Sequence, residues 1–480
     1  MKILLIKPPE KEVYTKVPTI AGVAQPMGLA CIAAYIRENG FTNVKILDCE
    51  AEQIGIDEIG KYIPVDVDVV GLGSVTPTLK NTGIIMRVVK GINPKCVTVL
   101  GGDHISALPE ETMKEFSQLD FGIVGEGEIT FLELLQTLQK NKNLSKVYGL
   151  VYRGKKNEIR LNPPRPLMPN LDVLPIPAYD LLKMDKYMPP AHHASFHGKG
   201  IKLSPFTIFF SLRGCPYNCR YCASKVMWEK RVRYRSVEKT FEEIDYLIEN
   251  YGIKCLEFND ENFIINKPRM RKLLEGLKER KEKYGMYWNC LTRVDSVDEQ
   301  TLRDMKEAGC YFIRFGVESG NQKILDAMDK GITVAQIRNA FELVNKVGIA
   351  SSASFIIGYP GETKETFAET FKLVKEIKPT LAFFFVAIPI VGTHLYYEAK
   401  EKNLILNLDW NGWVQMAETP IMRTETLSPD DLLEMRRKAY KEFYFRPSYI
   451  FKMVSGIRTK EQLKFYVNGV LGALNLIKQN

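Results

Sequence analysis

Phe210-Ser-Leu-Arg-Gly-Cys215-Pro-Tyr-Asn-Cys219-Arg-Tyr-Cys222 is the stretch on which the reading of this chain turns. It places three thiols within eight residues, directly after the apolar run Thr207 to Leu212. Thiolates are soft ligands that suit iron–sulfur clusters or zinc. Gly214 and Pro216 make a tight loop that lets three sulfurs face one centre, and three ligands leave one iron of a 4Fe-4S cluster open. A zinc site completed by His192, His193 or His197 is the competing reading. Structural zinc knuckles pair two short cysteine hooks and here there is one, which favours the cluster.

Working outward from that loop, the residues downstream alternate strand and helix patterns. Strands are expected at 207–212, 255–259, 287–292, 311–316, 350–357 and 381–388, with helices at 237–250, 268–281, 299–308, 334–347 and 364–375. Six strands fall short of the eight units of a closed barrel, so a partial (β/α)6 barrel over residues 200–405 is the expected architecture. Upstream, residues 1–140 carry short apolar strands at 2–6, 44–47, 67–73, 97–101 and 121–124, with helices at 28–39 and 79–90. That order indicates an α/β, doubly wound parallel sheet, whose ligands sit beyond the carboxyl ends of the strands. Those ends carry Gly71-Leu-Gly73-Ser74-Val-Thr76, Gly101-Gly102-Asp-His104 and Gly125-Glu126-Gly-Glu128. Residues 141–199 read as a linker with a hairpin near 149–161 and a proline-punctuated run, since proline removes a donor and suits a surface connection. Residues 406–480 read as helical, with Tyr440, Phe443, Tyr444, Phe445, Tyr449 and Phe451 assigned to packing in preference to a binding box.

Composition narrows the functional classes. Hydrophobic residues at 45% and charged residues at 26% are those of a soluble globular protein. No run approaches the ~18 consecutive apolar residues of a membrane span. The N-terminus lacks the features of a signal peptide, and six of the nine cysteines (31, 49, 96, 255, 290 and 310) are scattered singly, so a reducing cytoplasm is expected. The net charge of +9 is dispersed, and no zinc-finger or RNA-recognition signature accompanies it, which argues against nucleic acid.

Three cysteines spaced C-x3-C-x2-C after the first strand of a six-unit barrel resemble the radical S-adenosylmethionine (SAM) superfamily. The resemblance implies that Cys215, Cys219 and Cys222 hold a 4Fe-4S cluster, whose open iron binds SAM and cleaves it to methionine and a 5'-deoxyadenosyl radical. An electron donor such as flavodoxin or ferredoxin is implied with it. Asp260 and Glu261, ending the second strand, resemble the acidic site for the methionyl ammonium, and Glu318, ending the fourth, resembles the carboxylate that accepts ribose hydroxyls. Tyr221 matches the aromatic bordering the adenine, with loop packing as the alternative. Arg293 either pairs the SAM carboxylate or makes a plain interstrand salt bridge.

A doubly wound domain ahead of such a barrel resembles the cobalamin-binding subgroup, over residues 1–400. The matches are Gly73-Ser74-Val-Thr76, Gly101-Gly102-Asp-His104, Gly125-Glu126-Gly-Glu128, Gly358-Tyr-Pro-Gly-Glu362-Thr and Pro389-Ile-Val-Gly-Thr393. Small residues at these strand ends let a corrinoid approach the backbone closely; a nucleotide-binding or purely structural sheet is the alternative. Where many cobalamin proteins carry D-x-H-x-x-G, this chain has Asp48-Cys-Glu50-Ala-Glu-Gln53, so histidine ligation of cobalt from that loop is not expected, and His104 is expected to hydrogen-bond instead of ligating. The resemblance implies a cobalamin-dependent radical SAM enzyme that methylates an unactivated carbon of a small-molecule, lipid or peptide substrate. A cyclase or carbon–carbon bond-forming enzyme acting on a lipid or tetrapyrrole, and a cobalamin or iron–sulfur sensor, are the alternatives. A tRNA methylthiotransferase would require three grouped N-terminal cysteines, and Cys31, Cys49 and Cys96 are not grouped.

Overall fold

The first strand shows how one short sequence builds two cores. In β1 (Ile3–Lys7), Ile3 and Leu5 enter one apolar cluster and Leu4 and Ile6 enter another, because successive side chains of a strand point to opposite faces. Both faces are therefore covered, as parallel sheets require. The computed structural model describes residues 1–10, 22–189, 203–414 and 419–457, with Thr459, Lys460, Leu463 and Val467. His192, His193 and His197 lie outside the described residues.

The chain continues through α1 (Met27–Glu38), β2 (Val44–Asp48), β3 (Val69–Gly73), α2 (Leu79–Ile92), β4 (Val97–Gly101), α3 (Asp103–Ala107), α4 (Pro109–Glu115), β5 (Phe121–Ile123), α5 (Gly127–Gln139), β6 (Leu150–Arg153) and β7 (Ile159–Leu161). The sheet order is β2-β1-β3-β4-β5-β6-β7. The first five strands run parallel, and the β6–β7 hairpin joins β5 antiparallel. The hairpin expected within the linker thus extends the first sheet. The strand order reverses between β1 and β3, the crevice where doubly wound sheets place ligands.

The connector is packed down. Ala178 N donates to Ala30 O at 3.1 Å, Tyr179 OH donates to Glu243 Oε1 at 2.7 Å, and Met168, Leu171 and Leu174 form an apolar cluster against Tyr35 and Ile129.

The second sheet contains β8 (Phe206–Phe209), β11 (Cys255–Phe258), β12 (Tyr287–Thr292), β13 (Cys310–Glu318), β14 (Ala350–Ile357) and β15 (Leu381–Val386), all parallel, in the order β15-β14-β13-β12-β11-β8. A two-stranded ribbon, β9 (Leu212–Arg213) with β10 (Arg233–Tyr234), follows β8 and encloses α6 (Ser224–Trp228). The remaining helices are α7 (Val237–Tyr251), α8 (Lys267–Tyr284), α9 (Glu299–Glu307), α10 (Gln322–Ala327), α11 (Val334–Val347), α12 (Lys364–Ile377), α13 (His394–Glu401), α14 (Pro429–Tyr444) and α15 (Pro447–Gly456).

An open barrel leaves two strand edges with unpaired backbone groups, and both are covered by side chains. On β8, the Gln25 amide accepts from Ile208 N and donates to Phe206 O, each at 3.2 Å. On β15, the Tyr444 hydroxyl accepts from Ala382 N at 3.0 Å and donates to Ala382 O at 2.8 Å. Tyr440 accepts from Phe384 N at 3.2 Å, and Tyr449 donates to Thr380 O at 3.1 Å. The aromatic tail is thus mainly packing and edge protection, although Phe451 stands 75% exposed. Of the region from 406 onward, helix is described at α14 and α15, and residues after 457 are described only at the isolated positions above. No described helix is long and apolar enough to cross a membrane.

Candidate active site

The thiol loop is shaped from below by one buried and one half-buried residue. Asp260 accepts from Ser211 N at 2.7 Å, Ser211 Oγ at 2.6 Å and Leu212 N at 3.1 Å, while Arg269 Nη2 donates to Ser211 O at 3.1 Å. Gly214 has φ +97°, and a side chain there would run into the carbonyl of Arg231 across the ribbon, so the turn before Cys215 requires glycine. Beyond it, Arg220 N donates to Met328 O at 2.9 Å and Leu395 N to Arg220 O at 3.0 Å, which ties the loop to the ends of α10 and α13.

All nine cysteines are free thiols, and Cys215, Cys219 and Cys222 are half-buried. Burial pushes the Cys222 thiol up to about 11 and raises that of Cys215. Binding to iron removes such a proton outright. Among the described residues no three side chains converge on a single-ion site. Three thiols spread along one loop fit a cluster, in which each sulfur bonds a different iron.

The side chains expected at SAM divide into two kinds. Asp260, fully buried, has both oxygens engaged in the bend after β8, which makes it a brace for the thiol loop. Glu261 is more open; its Oε2 accepts from Gly214 N at 3.3 Å, and burial pushes its carboxyl up to about 7. Arg293 is held by Asp295 through two bonds of 2.9 Å and lies 3.6 Å from the centre of the Tyr217 ring, so its ion pair is local and not interstrand.

Glu318 sits at a bulge of β13 with φ +68° and pairs with Lys330 at 2.8 Å, both side chains being under a tenth exposed. Lys330 Nζ also donates to Tyr221 OH at 3.1 Å, which joins the thiol loop to β13. Sequence reasoning missed Lys330: it lies in a short turn after α10, and no spacing rule relates it to Glu318. Deeper in the barrel, Arg314 donates to Glu257 Oε1, Asn259 Oδ1 and Phe258 O at 2.8–2.9 Å. Phe383 and Phe385 lie parallel with centroids 6.0 Å apart. These half-buried groups give the barrel one charged pair and one flat apolar wall; their i, i+2 spacing on a β-rich run is the signal that would have found the phenylalanines.

At the strand ends of the first sheet, Gly101 and Gly125 have no atom within 4 Å of where a Cβ would stand, whereas Gly73 abuts Leu29 and Gly102, at φ +113°, abuts the Ser74 carbonyl. Gly101 and Gly125 leave open space at their strand ends, Gly125 at φ +80°, and Gly73 and Gly102 are required by internal packing. Ser74 Oγ bonds Thr78 and Thr82 hydroxyls at 3.1 and 3.0 Å. His104 Nδ1 and Thr76 Oγ1 share a hydrogen bond of 3.1 Å, and the imidazole packs edge-on against Trp410 at 4.8 Å. Burial lowers the His104 pKa to about 4, so the ring is neutral at pH 7. Asp48 accepts from Tyr187 OH at 2.9 Å and from Glu50 N and Ala51 N at 3.1 Å, a tie between turn and connector where a D-x-H-x-x-G loop would hold its histidine.

Glu126 is engaged in the join between the two sheets. Its Oε1 accepts from Arg213 Nη1 and its Oε2 from Arg233 Nη1, each at 2.7 Å, and Oε2 also accepts from Met168 N at 2.9 Å. Both oxygens serve the join between the sheets, because the segment after β5 is pressed against the β9–β10 ribbon. The same junction brings α3 against α6: at Gly392 a Cβ would stand 2.8 Å from Ala107 Cβ and 3.0 Å from Val226 Cγ2. The junction thus brings the segment after β5 and helix α3 of the first sheet against the ribbon and α6 that flank the thiol loop.

Residues 210–374 match the Radical SAM superfamily, and residues 16–135 match the B12 binding domain family. An uncharacterized methyltransferase of Pyrococcus horikoshii is 37% identical over 94% of this chain and 94% of its own length. The anaerobic magnesium-protoporphyrin IX monomethyl ester cyclase of Rubrivivax gelatinosus is 27% identical over 98% of this chain and 82% of its own. In fold, the chain resembles the cobalamin-dependent S-adenosylmethionine radical enzyme OxsB, solved with aqua-cobalamin and S-adenosylmethionine bound, with a TM-score of 0.74 at 19% identity, covering 99% of this chain and 71% of that one.

Proposed function

We propose that this chain, which belongs to the radical SAM superfamily and carries a B12 binding domain, methylates an unactivated carbon of a small molecule in the cytoplasm. What supports this reading is the join of the two sheets: Arg213, two residues before Cys215, bonds Glu126, one residue after Gly125, at 2.7 Å, so the segment leading into the thiol loop meets the segment leaving a strand end of the first sheet. When bound, the cluster and SAM supply one-electron cleavage of a carbon–sulfur bond, and the corrinoid supplies a methyl group; the protein supplies position and exclusion of water.

Each residue's task follows from its environment. Lys330 holds the Glu318 carboxylate in a fixed orientation, from which it would accept hydroxyls of the SAM ribose. Glu261 is the acid free to meet an ammonium group, since Asp260 is committed to the loop. Tyr221, anchored by Lys330, borders the adenine. Arg293, flattened on Tyr217, presents charge to the methionyl carboxylate. Neutral His104 is engaged with Thr76 through Nδ1 and packs against Trp410, and the Asp48 loop, which carries no histidine, would offer a corrinoid no imidazole.

The test is reconstitution with iron, sulfide and hydroxocobalamin followed by removal of free ligand. Retained corrinoid absorbance, and 5'-deoxyadenosine with methionine from the reduced, SAM-loaded protein, are expected. Cys219→Ala should lose the iron and Gly101→Val the corrinoid. No retained corrinoid in the parent protein would sink the cobalamin half. The cyclase relative favours a second reading, ring closure; product mass separates them, because methyl transfer adds a carbon while cyclisation only removes hydrogen.

A further inference from the structure

We infer that Glu126, Glu128, Arg213 and Arg233 are positioning residues that set the thiol loop against the corrinoid side of the molecule and couple the motions of the two. Arg213 stands two residues before Cys215, and Glu126 one residue after Gly125. Arg213 spans Glu126 Oε1 at 2.7 Å and Glu128 Oε1 at 2.5 Å, while Arg233, on the other strand of the ribbon, holds Glu126 Oε2 at 2.7 Å. Trp228, the last residue of α6, lies under both guanidinium groups, 5.4 and 5.6 Å from its ring centre. Arg233 Nη1 also donates to Met168 O at 2.9 Å, and Met168 N to Glu126, so the connector closes the same network.

The energetics of burial favour a positioning role over a stabilising one. The acid side chains are 6% and 5% exposed and their arginines 15% and 7%. Four charges removed from water lose hydration comparable to what their pairing returns, and apolar residues of the same volume would join the domains as strongly. A guanidinium bridging two carboxylates, and a carboxylate shared by two guanidiniums, add what an apolar contact lacks, a fixed distance and orientation. Fixed geometry is needed at this place because the ribbon leads directly into the thiols and the Glu126 segment directly out of a strand end of the first sheet. The inference rests on the two-cofactor reading above for its purpose, though the tie itself stands on these contacts.

The experiment has two arms. In the first, amide hydrogen exchange is followed in the full-length protein without cofactors, for the parent, Glu126→Gln, Arg213→Met and the conservative Arg213→Lys. Glu126→Gln and Arg213→Met should speed exchange across Gly214–Cys222 at least tenfold while β1 and β3 keep the parent rate, and Arg213→Lys should lie between. Unchanged exchange in the loop, or an equal rise in both sheets, overturns the inference. Should Arg213→Met fail to fold, Glu128→Gln, which removes one contact, must show the same localised effect in smaller measure, and its absence is equally decisive. In the second arm, reconstituted protein is reduced, and the magnetic coupling between the cluster and Co(II) corrinoid is read by electron paramagnetic resonance. Glu126→Gln should weaken or scatter that coupling at least twofold at unchanged iron and cobalt content, and an unaltered coupling counts against the inference. A parent protein that retains no corrinoid fails the two-cofactor reading alone, because the exchange arm still decides the tie.

Discussion

Replacing Lys330 by methionine removes one member of a buried pair at the heart of the proposed SAM site. Glu318 and Lys330 are 2.8 Å apart with side chains 9% and 8% exposed, and Lys330 also serves the Tyr221 hydroxyl. Deleting one partner of such a pair leaves a buried charge uncompensated and costs roughly 3–5 kcal/mol. Lys330→Met and Glu318→Gln should each fall in that range in urea unfolding of the protein without cofactors, with the urea dependence unchanged. The double variant removes both charges, so its cost should be far below the sum of the singles, giving a coupling of at least about 2 kcal/mol. A Lys330→Met cost under about 1 kcal/mol, or additive singles, would refute the reasoning. Either would mean that Glu318 can turn to solvent and is not held where a ribose would need it.

Tyr444→Phe should destabilise by about 2–4 kcal/mol in the same assay, since fully buried Ala382 loses partners for both N–H and C=O at about 1–3 kcal/mol each. Tyr440→Phe, which removes the bond to Phe384 N, should also destabilise, and an unchanged stability would contradict the edge-protection account. Glu362 is fully buried and burial pushes its carboxyl up to about 8. Its folded pKa lies above the unfolded one, so the folded state binds the extra proton: stability is complete below about pH 4.5 and falls as pH rises toward 8, by at most about 1.4 kcal/mol per unit. Unfolding at several pH values should show that decline in the parent protein and its loss in Glu362→Gln. Gly101→Ala should keep the fold within about 0.5 kcal/mol while weakening corrinoid retention, whereas Gly102→Ala should cost on the order of 2 kcal/mol or more, because it combines a positive φ with the Ser74 carbonyl. Melting curves and retained corrinoid absorbance measure both.

Much of the architecture was legible because it repeats. Strands β12 and β14 and helix α11 begin and end where alternation and helical periodicity place them, and the six parallel strands follow from the βα order. The short α3, α4 and α10 were not, since their few residues carry too little periodicity to stand apart from loop. The site divides in the same way. Cys215, Cys219 and Cys222 are neighbours in the chain, so their spacing alone announces a shared centre. Asp260 and Glu261 are adjacent in sequence and differ in role only because one carboxylate meets Ser211 and Leu212 while the other reaches Gly214.

Local patterns in the chain therefore determined the two sheets and the grouping of the three thiols, because each depends on residues a few positions apart. Only the folded molecule decided that Glu126 joins the sheets, that Lys330 holds Glu318 and that Gln25 and the tyrosines seal the open barrel. Those are contacts between distant segments, and burial turns each into an obligation: a charge or a backbone group removed from water must find a partner, and which one it finds depends on how the segments pack.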